Sequence, residues 1–278
     1  MFNVDIQLGS RKINIETGKI AKQANGSVIV RCGGTVVMVT ACMGADKGGD
    51  FLPLTIDYIE KTYAAGKIPG GYFKREGKLS EEETLVSRVI DRPCRPLFAE
   101  TFTREVQIVA TVLSADPDAD ADVLSICGAS AAMHISDIPF AGPLAGVRVC
   151  RIDNKLVLNP TKPQAAKADI NFIVAGTKDA ILMVEGGANQ VAEKDILEAI
   201  FFAHAEMQIL IQAQEDLRAK CGRPKFESAA PAEDDKAMVA AITKFATPKI
   251  DAAIRIKDKL ERRDVLSAAS QVGFQGSF

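Results

Sequence analysis

Apolar and polar positions follow two rhythms along this chain. Up to Tyr58 the apolar residues come in short, β-branched runs punctuated by glycine: SVIVRC at 27–32, Gly33–Gly34, TVVMVTAC at 35–42 and DFLPLTIDY at 50–58. Two such runs joined by Gly-Gly predict a hairpin in which both glycines take positive φ, a conformation that costs a residue without Cβ little. Pro53 cannot donate to a strand ladder, so the third run is expected at an edge or as an interrupted strand. KTYAAGKIPGGYFKREGK at 61–78 has no period and reads as a long loop, a feature that in compact domains is functional or disordered.

The second rhythm is helical. Ser80-Glu81-Glu82-Glu83 is a capping box, so a helix is predicted to start there, run through Leu85, Val86, Val89 and Ile90, and stop near Asp91–Arg92 ahead of Pro93. EVQIVATVLS at 105–114 reads as a strand. An acidic loop, 116–122, leads into an apolar helix over 123–135 whose small residues, Gly128 to Ala132, suit close packing on a sheet. Hairpins are predicted at 147–158, turning at Asp153–Asn154, and at 170–184, turning at 176–179. Ile196, Ile200, Ala203, Met207, Leu210, Ile211 and Leu217 mark an amphipathic helix over 191–220. The Gly- and Pro-containing stretch 221–235 reads as a linker into a second helical region, 236 to about 269, and 271–278 carries no clear period.

Strands with interspersed helices make the fold class α+β. Composition supports a globular chain: 278 residues, 47% hydrophobic and 25% charged, are neither disordered nor fibrous and can bury about 70% of the unfolded surface. Lys+Arg 34 against Asp+Glu 36 gives a formal charge of −2, so any nucleic-acid binding needs a local basic patch. Six scattered cysteines (Cys32, Cys42, Cys94, Cys127, Cys150, Cys221) without C-x-x-C predict reduced, buried thiols and a cytoplasmic setting. The N-terminus shows no export leader, and no run of 18 apolar residues occurs, so no membrane span is expected.

Candidate chemistry narrows quickly. Neither G-x-x-x-x-G-K-[ST] nor G-x-G-x-x-G after a strand is present. His134 and His204 lie in apolar helical stretches and read as structural. Asp116, Asp118, Asp120 and Asp122 alternate as oxygen ligands could, but without a calcium loop's glycine and distal glutamate they read as a solvated loop whose Asp122 caps the next helix. More informative is the cluster of Lys67, Tyr72, Phe73, Lys74, Arg75 and Lys78 in the long loop, followed by Arg88, Arg92 and Arg95. Arg88 and Arg92, four apart, share a helix face. Rings that stack on bases and guanidiniums that fork onto phosphate suit single-strand binding. The alternative, open at this point, is that Arg88 and Arg92 pair with Glu81–Glu83 or Asp91 and that Phe73 is loop packing.

The run KTYAAGKIPGGYFKREGKLSEEETLVSRVIDRPCRPLF at 61–98 resembles the bacterial polynucleotide phosphorylase family, and GASAA at 128–132, LNPT at 158–161 and DINFIVAGT at 169–177 continue the likeness in order. The resemblance implies an RNase PH-like domain of mixed sheets with packed helices over 1–220, with subdomains of about 1–145 and 146–220, then a linker at 221–235 and part of an all-α connector at 236–278. It implies the N-terminal portion of a phosphate-dependent 3'-to-5' exoribonuclease, a polyribonucleotide nucleotidyltransferase of mRNA degradation that releases nucleoside diphosphates and runs in reverse as a polymerase. Single-stranded RNA as partner, a homotrimeric ring, RNA-degradation partners, Mg²⁺ and inorganic phosphate as co-substrate come with it. The RNA-contacting residues implied are Phe73, Lys74, Arg75, Arg88, Arg92 and Arg95, with Tyr72 as a further contact.

Two departures qualify this. Where an active copy has a Gly/Ser/Thr-rich phosphate loop, this chain has DADADVLS at 118–125, whose carboxylates repel phosphate. Where an active copy has D-x-D-x-K, it has Asp169, Ile170, Asn171, Phe172 and Ile173. The expectation is therefore a copy that scaffolds and guides RNA, with no catalytic or metal residue of its own and little activity alone, the catalytic site lying in a second RNase PH-like domain. A free-standing, non-catalytic RNA-binding or assembly protein is the alternative.

Overall fold

The computed structural model describes residues 1–49, 51–70, 78–116, 118–227 and 236–275. Two compact units divide the chain, Met1–Ala229 and Ala230–Phe278.

The first unit holds two sheets with a buried helix between them. β1 (Phe2–Leu8), β2 (Arg11–Thr17), β3 (Gly26–Cys32), β4 (Thr35–Asp46), β5 (Leu54–Glu60) and β6 (Arg104–Ser114) form a six-stranded sheet in the order β1-β2-β3-β4-β6-β5. All neighbours are antiparallel except β5 and β6, whose crossover contains α1 (Glu81–Cys94). β7 (Ala145–Ile152), β8 (Lys155–Leu158), β9 (Ile170–Gly176) and β10 (Ile181–Ala188) form an antiparallel sheet in the order β10-β9-β7-β8. Between them lies α2 (Ala121–Ile135), whose residues from Val123 to Ile135 are all buried and which packs on β3, β4 and β7. Small residues allow that approach: a Cβ on Gly128 would meet Val39 Cγ2 at 2.6 Å. α3 (Lys162–Ala165) is one capped turn, and the 29-residue α4 (Glu193–Cys221) packs on β1, β7, β9 and α2.

Several expectations need correcting. At the β3–β4 turn only Gly33 has positive φ (58°), because a two-residue hairpin turn can also be made with the first central residue alone in that region. The Asp153–Asn154 turn does take both positive values, 49° and 59°. α1 does not stop at Arg92: Pro93 lies inside it, buried, and the helix ends at Cys94 before a 3-10 turn over Arg95–Leu97. One missing N–H in the last turn is tolerated while Ile90, Pro93 and Cys94 bury against the core. Cys42 is exposed and Cys221 half-buried, whereas the other four thiols are buried; all six are free. Burial pushes Cys127 and Cys150 up to about 11, which keeps them as thiols. Length and composition alone would let α4 cross a membrane, contrary to expectation. Its Ala199, Ala203, Met207, Leu210 and Leu217 face is instead buried in the core.

β5 begins directly after Pro53 and lies at the sheet edge, as Pro53 requires. Both histidines are bonded inside the fold: His204 Nε2 lies 2.9 Å from the Thr177 carbonyl, and His134 Nε2 lies 3.2 Å from Glu215 Oε2.

The second unit is a helix pair, α5 (Lys236–Ile254) and α6 (Lys259–Gln275). Asp258 caps α6, its Oδ1 accepting from the amides of Leu260 and Glu261 at 2.9 Å each. α6 runs past residue 269, since a helix once nucleated propagates through QVGFQ, which has no proline.

Candidate nucleic-acid interface

Of the described basic cluster, Lys67 and Lys78 are exposed ahead of α1, Arg88 and Arg92 lie on it and Arg95 is its C-cap; the helix's own polar residues set its position. The predicted capping box forms: Glu83 N–H donates to Ser80 Oγ at 3.1 Å, and Ser80 N–H to Glu83 Oε2 at 2.6 Å. The other Glu83 oxygen accepts from the Glu60 amide at 2.8 Å, and Ser87 Oγ accepts from the Tyr58 amide at 2.9 Å. Farther along, the Arg95 guanidinium donates to the carbonyls of Leu52 (3.2 Å) and Leu54 (3.3 Å), and to Asp91 at 2.7 and 3.0 Å.

Glu83, Ser87, Asp91 and Arg95 are spaced by four residues and so form one stripe. That stripe climbs about 6 Å per step on a helix, close to the roughly 6.6 Å covered by two strand residues. The helix therefore keeps step with the strand and bonds the Glu60 and Tyr58 amides and the Leu54 carbonyl on the free edge of β5, which would otherwise be unpaired backbone groups.

With one stripe committed to the strand, a neighbouring one faces outward. Arg88 is exposed and has no hydrogen-bonding or ion-pair partner among the described residues. Arg92, one turn on, pairs with Glu185 on β10. Arg88, Asp91, Arg92, Arg95 and Pro96 line one open hollow. Neither Arg88 nor Arg92 pairs with Glu81–Glu83 or Asp91 among the described residues: Glu83 is spent on the capping box and Glu60, and Asp91 on Arg95. Arg95 lines the same hollow and is exposed, but unlike Arg88 its guanidinium is engaged, by Asp91 and the Leu52 and Leu54 carbonyls. Tyr72, Phe73, Lys74 and Arg75 lie outside the described residues.

A second constellation, centred on Arg148, is one that sequence reasoning missed. Asp120, not Asp122, occupies the N-cap of α2, and its side chain makes no cap hydrogen bond. Asp122 lies inside the helix, largely buried, and bonds the Arg148 guanidinium at 2.5 Å. The same guanidinium donates to Asn171 Oδ1 at 2.9 Å and sits 3.2 Å from Asp120, which also faces Lys162 at 3.6 Å. Burial raises the Asp122 pKa and Arg148 opposes that rise. The acidic loop is thus not simply solvated. The segments 118–125 and 169–173 meet on one arginine, through Asp122 and Asn171. Asp169 is taken separately by Arg151, at 2.6 and 2.9 Å, together with Asp195 at 2.6 Å; the Arg151 hydrogen bonds hold the Asp169 carboxyl below its usual range.

The 3' exoribonuclease family, domain 1, matches residues 9–139, and domain 2 of the same family matches 142–206. The chain belongs to the 3' exoribonuclease family. The α+β, RNase PH-like fold expected from sequence is the fold of this family, and the chain carries both of its domains. Among curated relatives it is 54% identical over 263 residues to a protein of Geobacter sulfurreducens, 52% over 269 to one of Geotalea uraniireducens and 55% over 270 to one of a Sulfurihydrogenibium species. Each is named polyribonucleotide nucleotidyltransferase. The matches cover 94–96% of this chain but only 38% of each relative.

Proposed function

We propose that the chain is the N-terminal portion of a phosphate-dependent 3'-to-5' exoribonuclease of mRNA degradation, and that it guides single-stranded RNA without doing the chemistry. The observation that carries this reading is the division of labour on α1. One polar stripe is engaged by the β5 edge, and the next offers Arg88 and Arg92 to solvent shortly after the aromatic, basic sequence run of Tyr72, Phe73, Lys74 and Arg75. Guanidiniums there can pair with consecutive phosphates while the rings of Tyr72 and Phe73 offer faces on which bases stack.

The absence of chemistry in this portion is supported by the Arg148 network. An arginine beside a helix N-terminus could serve phosphate, but here Asp122 and Asn171 already hold it. Mg²⁺ and inorganic phosphate belong to the proposal for the whole protein. The residues present do not fit a Mg²⁺ site: the described residues contain no group of three or more His, Cys, Asp or Glu side chains able to hold a metal, and Asp122 and Asp169 are each paired with an arginine. A homotrimeric ring, RNA-degradation partners and a cytoplasmic setting complete the proposal, the last supported by six free thiols.

The test is a filter-binding titration with oligoadenylate across salt, in the complete reading frame. Arg88→Ala should weaken binding and reduce the salt slope by about 0.7, the share of one phosphate contact on a single strand. Phe73→Ala should cost about 1–3 kcal/mol of binding. The isolated 278-residue chain should release no nucleoside diphosphate from poly(A) in the presence of phosphate. Unchanged binding in both variants would overturn the guiding role, and phosphate-dependent release by the chain alone would overturn the inactive-copy assignment.

A further inference from the structure

We propose that Glu185 is a built-in competitor of the RNA phosphate for Arg92, so that a strand takes this arginine by exchanging one anion for another. The inference rests on the RNA-guiding reading of α1 and deepens it.

The three arginines of the cluster differ in availability. Arg88 has no partner among the described residues, Arg92 is paired once, and Arg95 is tied to Asp91 and two carbonyls. Arg95 is paired with a carboxylate too, but two carbonyls also hold it; among the described residues of this cluster, Arg92 is the arginine whose single partner is an anion standing where a phosphate oxygen would bind. Both members of that pair are about half exposed, 51% and 46%, so exchange needs no opening of the fold. An exposed ion pair contributes little on its own, which makes a purely structural role for the contact weak.

The position of Glu185 is nonetheless fixed. It stands in register opposite Ile173 on β9, and the next residue, Gly186, has φ +148° with its missing Cβ directed at the Asn171 carbonyl, where it would come within 2.0 Å. Glycine at 186 lets β10 close tightly on β9 and carries the carboxylate to α1 from the far sheet. Acids nearer in sequence, Glu83 and Asp91, are already engaged, so this carboxylate is supplied from 93 residues away.

A phosphate leaving Arg92 is replaced by a carboxylate, and the guanidinium never stands unpaired. That suits a surface past which a strand must advance: the arginine holds each phosphate only against a standing competitor. Glu185 acts here as a positioning and affinity-setting residue.

The experiment is a double-variant cycle on the complete reading frame, read as oligoadenylate affinity at low and high salt. Glu185→Gln, which keeps size and removes charge, should tighten binding about three- to ten-fold at low salt, lose that gain at high salt and steepen the salt slope by up to about 0.7. In an Arg92→Ala background the same change should do nothing. Equal tightening in that background would overturn the proposal, because Glu185 would then repel RNA without Arg92. No tightening in the parent, while Arg88→Ala still weakens binding, would overturn it and leave the RNA-guiding surface intact. If neither Arg88→Ala nor Arg92→Ala weakens binding, the RNA-guiding reading fails and the proposal with it. Glu185→Ala supplies a second variant should the amide find a new partner, and the same direction is expected.

Discussion

Ser87 accepts the buried backbone N–H of Tyr58 at 2.9 Å and gives its own hydrogen to the Glu83 carbonyl at 2.8 Å. One hydroxyl therefore joins the helix ladder to the edge of β5. Ser87→Ala removes the acceptor and leaves a buried amide unsatisfied, so it should destabilise the chain by about 1–3 kcal/mol. Urea unfolding measures this, and Ser87→Thr, which keeps the hydroxyl, should recover most of the loss. An alanine variant as stable as the parent would show that α1 does not depend on this edge.

Arg95 belongs to the same stripe and predicts a dissociation between stability and binding. Its donors go to Asp91, Leu52 and Leu54, so Arg95→Ala should lower the unfolding midpoint while the salt slope for oligoadenylate stays where it was. Arg88→Ala should show the reverse. A slope reduced by about 0.7 in Arg95→Ala would return this residue to the RNA-contacting set.

Arg148 carries the largest expected stability effect. Its pairing with Asp122 is mostly removed from solvent, the two side chains being 17% and 13% exposed. Arg148→Met strands a buried carboxylate and should cost about 3–5 kcal/mol by urea unfolding, whereas the pair Arg148→Met with Asp122→Asn should recover part of it because no charge is left unpaired. A single variant within error of the parent would mean that water reaches Asp122.

The contrast between what could and could not be read in advance follows sequence distance. Ser80 with Glu83 announced the start of α1, Pro53 placed β5 at an edge, and Asp153–Asn154 marked a turn, since each signal is contained within a few residues. The partners of the basic residues were not readable. Arg148 meets Asp122 and Asn171 from 26 and 23 residues away, and Arg92 meets Glu185 from 93. Pairing of that kind depends on which elements the sheets bring together, and no local pattern encodes it. Proximity in sequence did place Arg95 with Arg88 and Arg92, since residues seven apart on a helix lie about 20° from one another and the three line one hollow, but it did not show that Arg95 also bonds the Leu52 and Leu54 carbonyls. The one available hint for Arg148 was a lone arginine in the otherwise apolar AGVRVC strand.

His134 gives the chain a defined acid sensitivity. Its ring is 97% buried, Nε2 lies 3.2 Å from Glu215 Oε2, and Arg218 Nη1 lies 3.4 Å from Nδ1. A cationic guanidinium beside Nδ1 opposes protonation of the ring and suits the tautomer that carries its hydrogen on Nε2, toward Glu215. Burial lowers its pKa to about 4, against the pull of Glu215, and the charges of Arg218 and Lys225 add to the lowering. Between pH about 6.5 and about 4 the unfolded chain therefore binds a proton that the folded chain does not. Stability from this residue is complete above pH about 6.5 and is lost as pH falls toward about 4, with an upper limit of about 3 kcal/mol. The check is a series of urea midpoints across that range for the parent and for His134→Gln, which cannot take the proton. The parent should lose stability more steeply than the variant between those two values and run parallel to it above them. Parallel curves throughout would mean that His134 titrates alike in the folded and unfolded chain, and the neutral, buried assignment would fall.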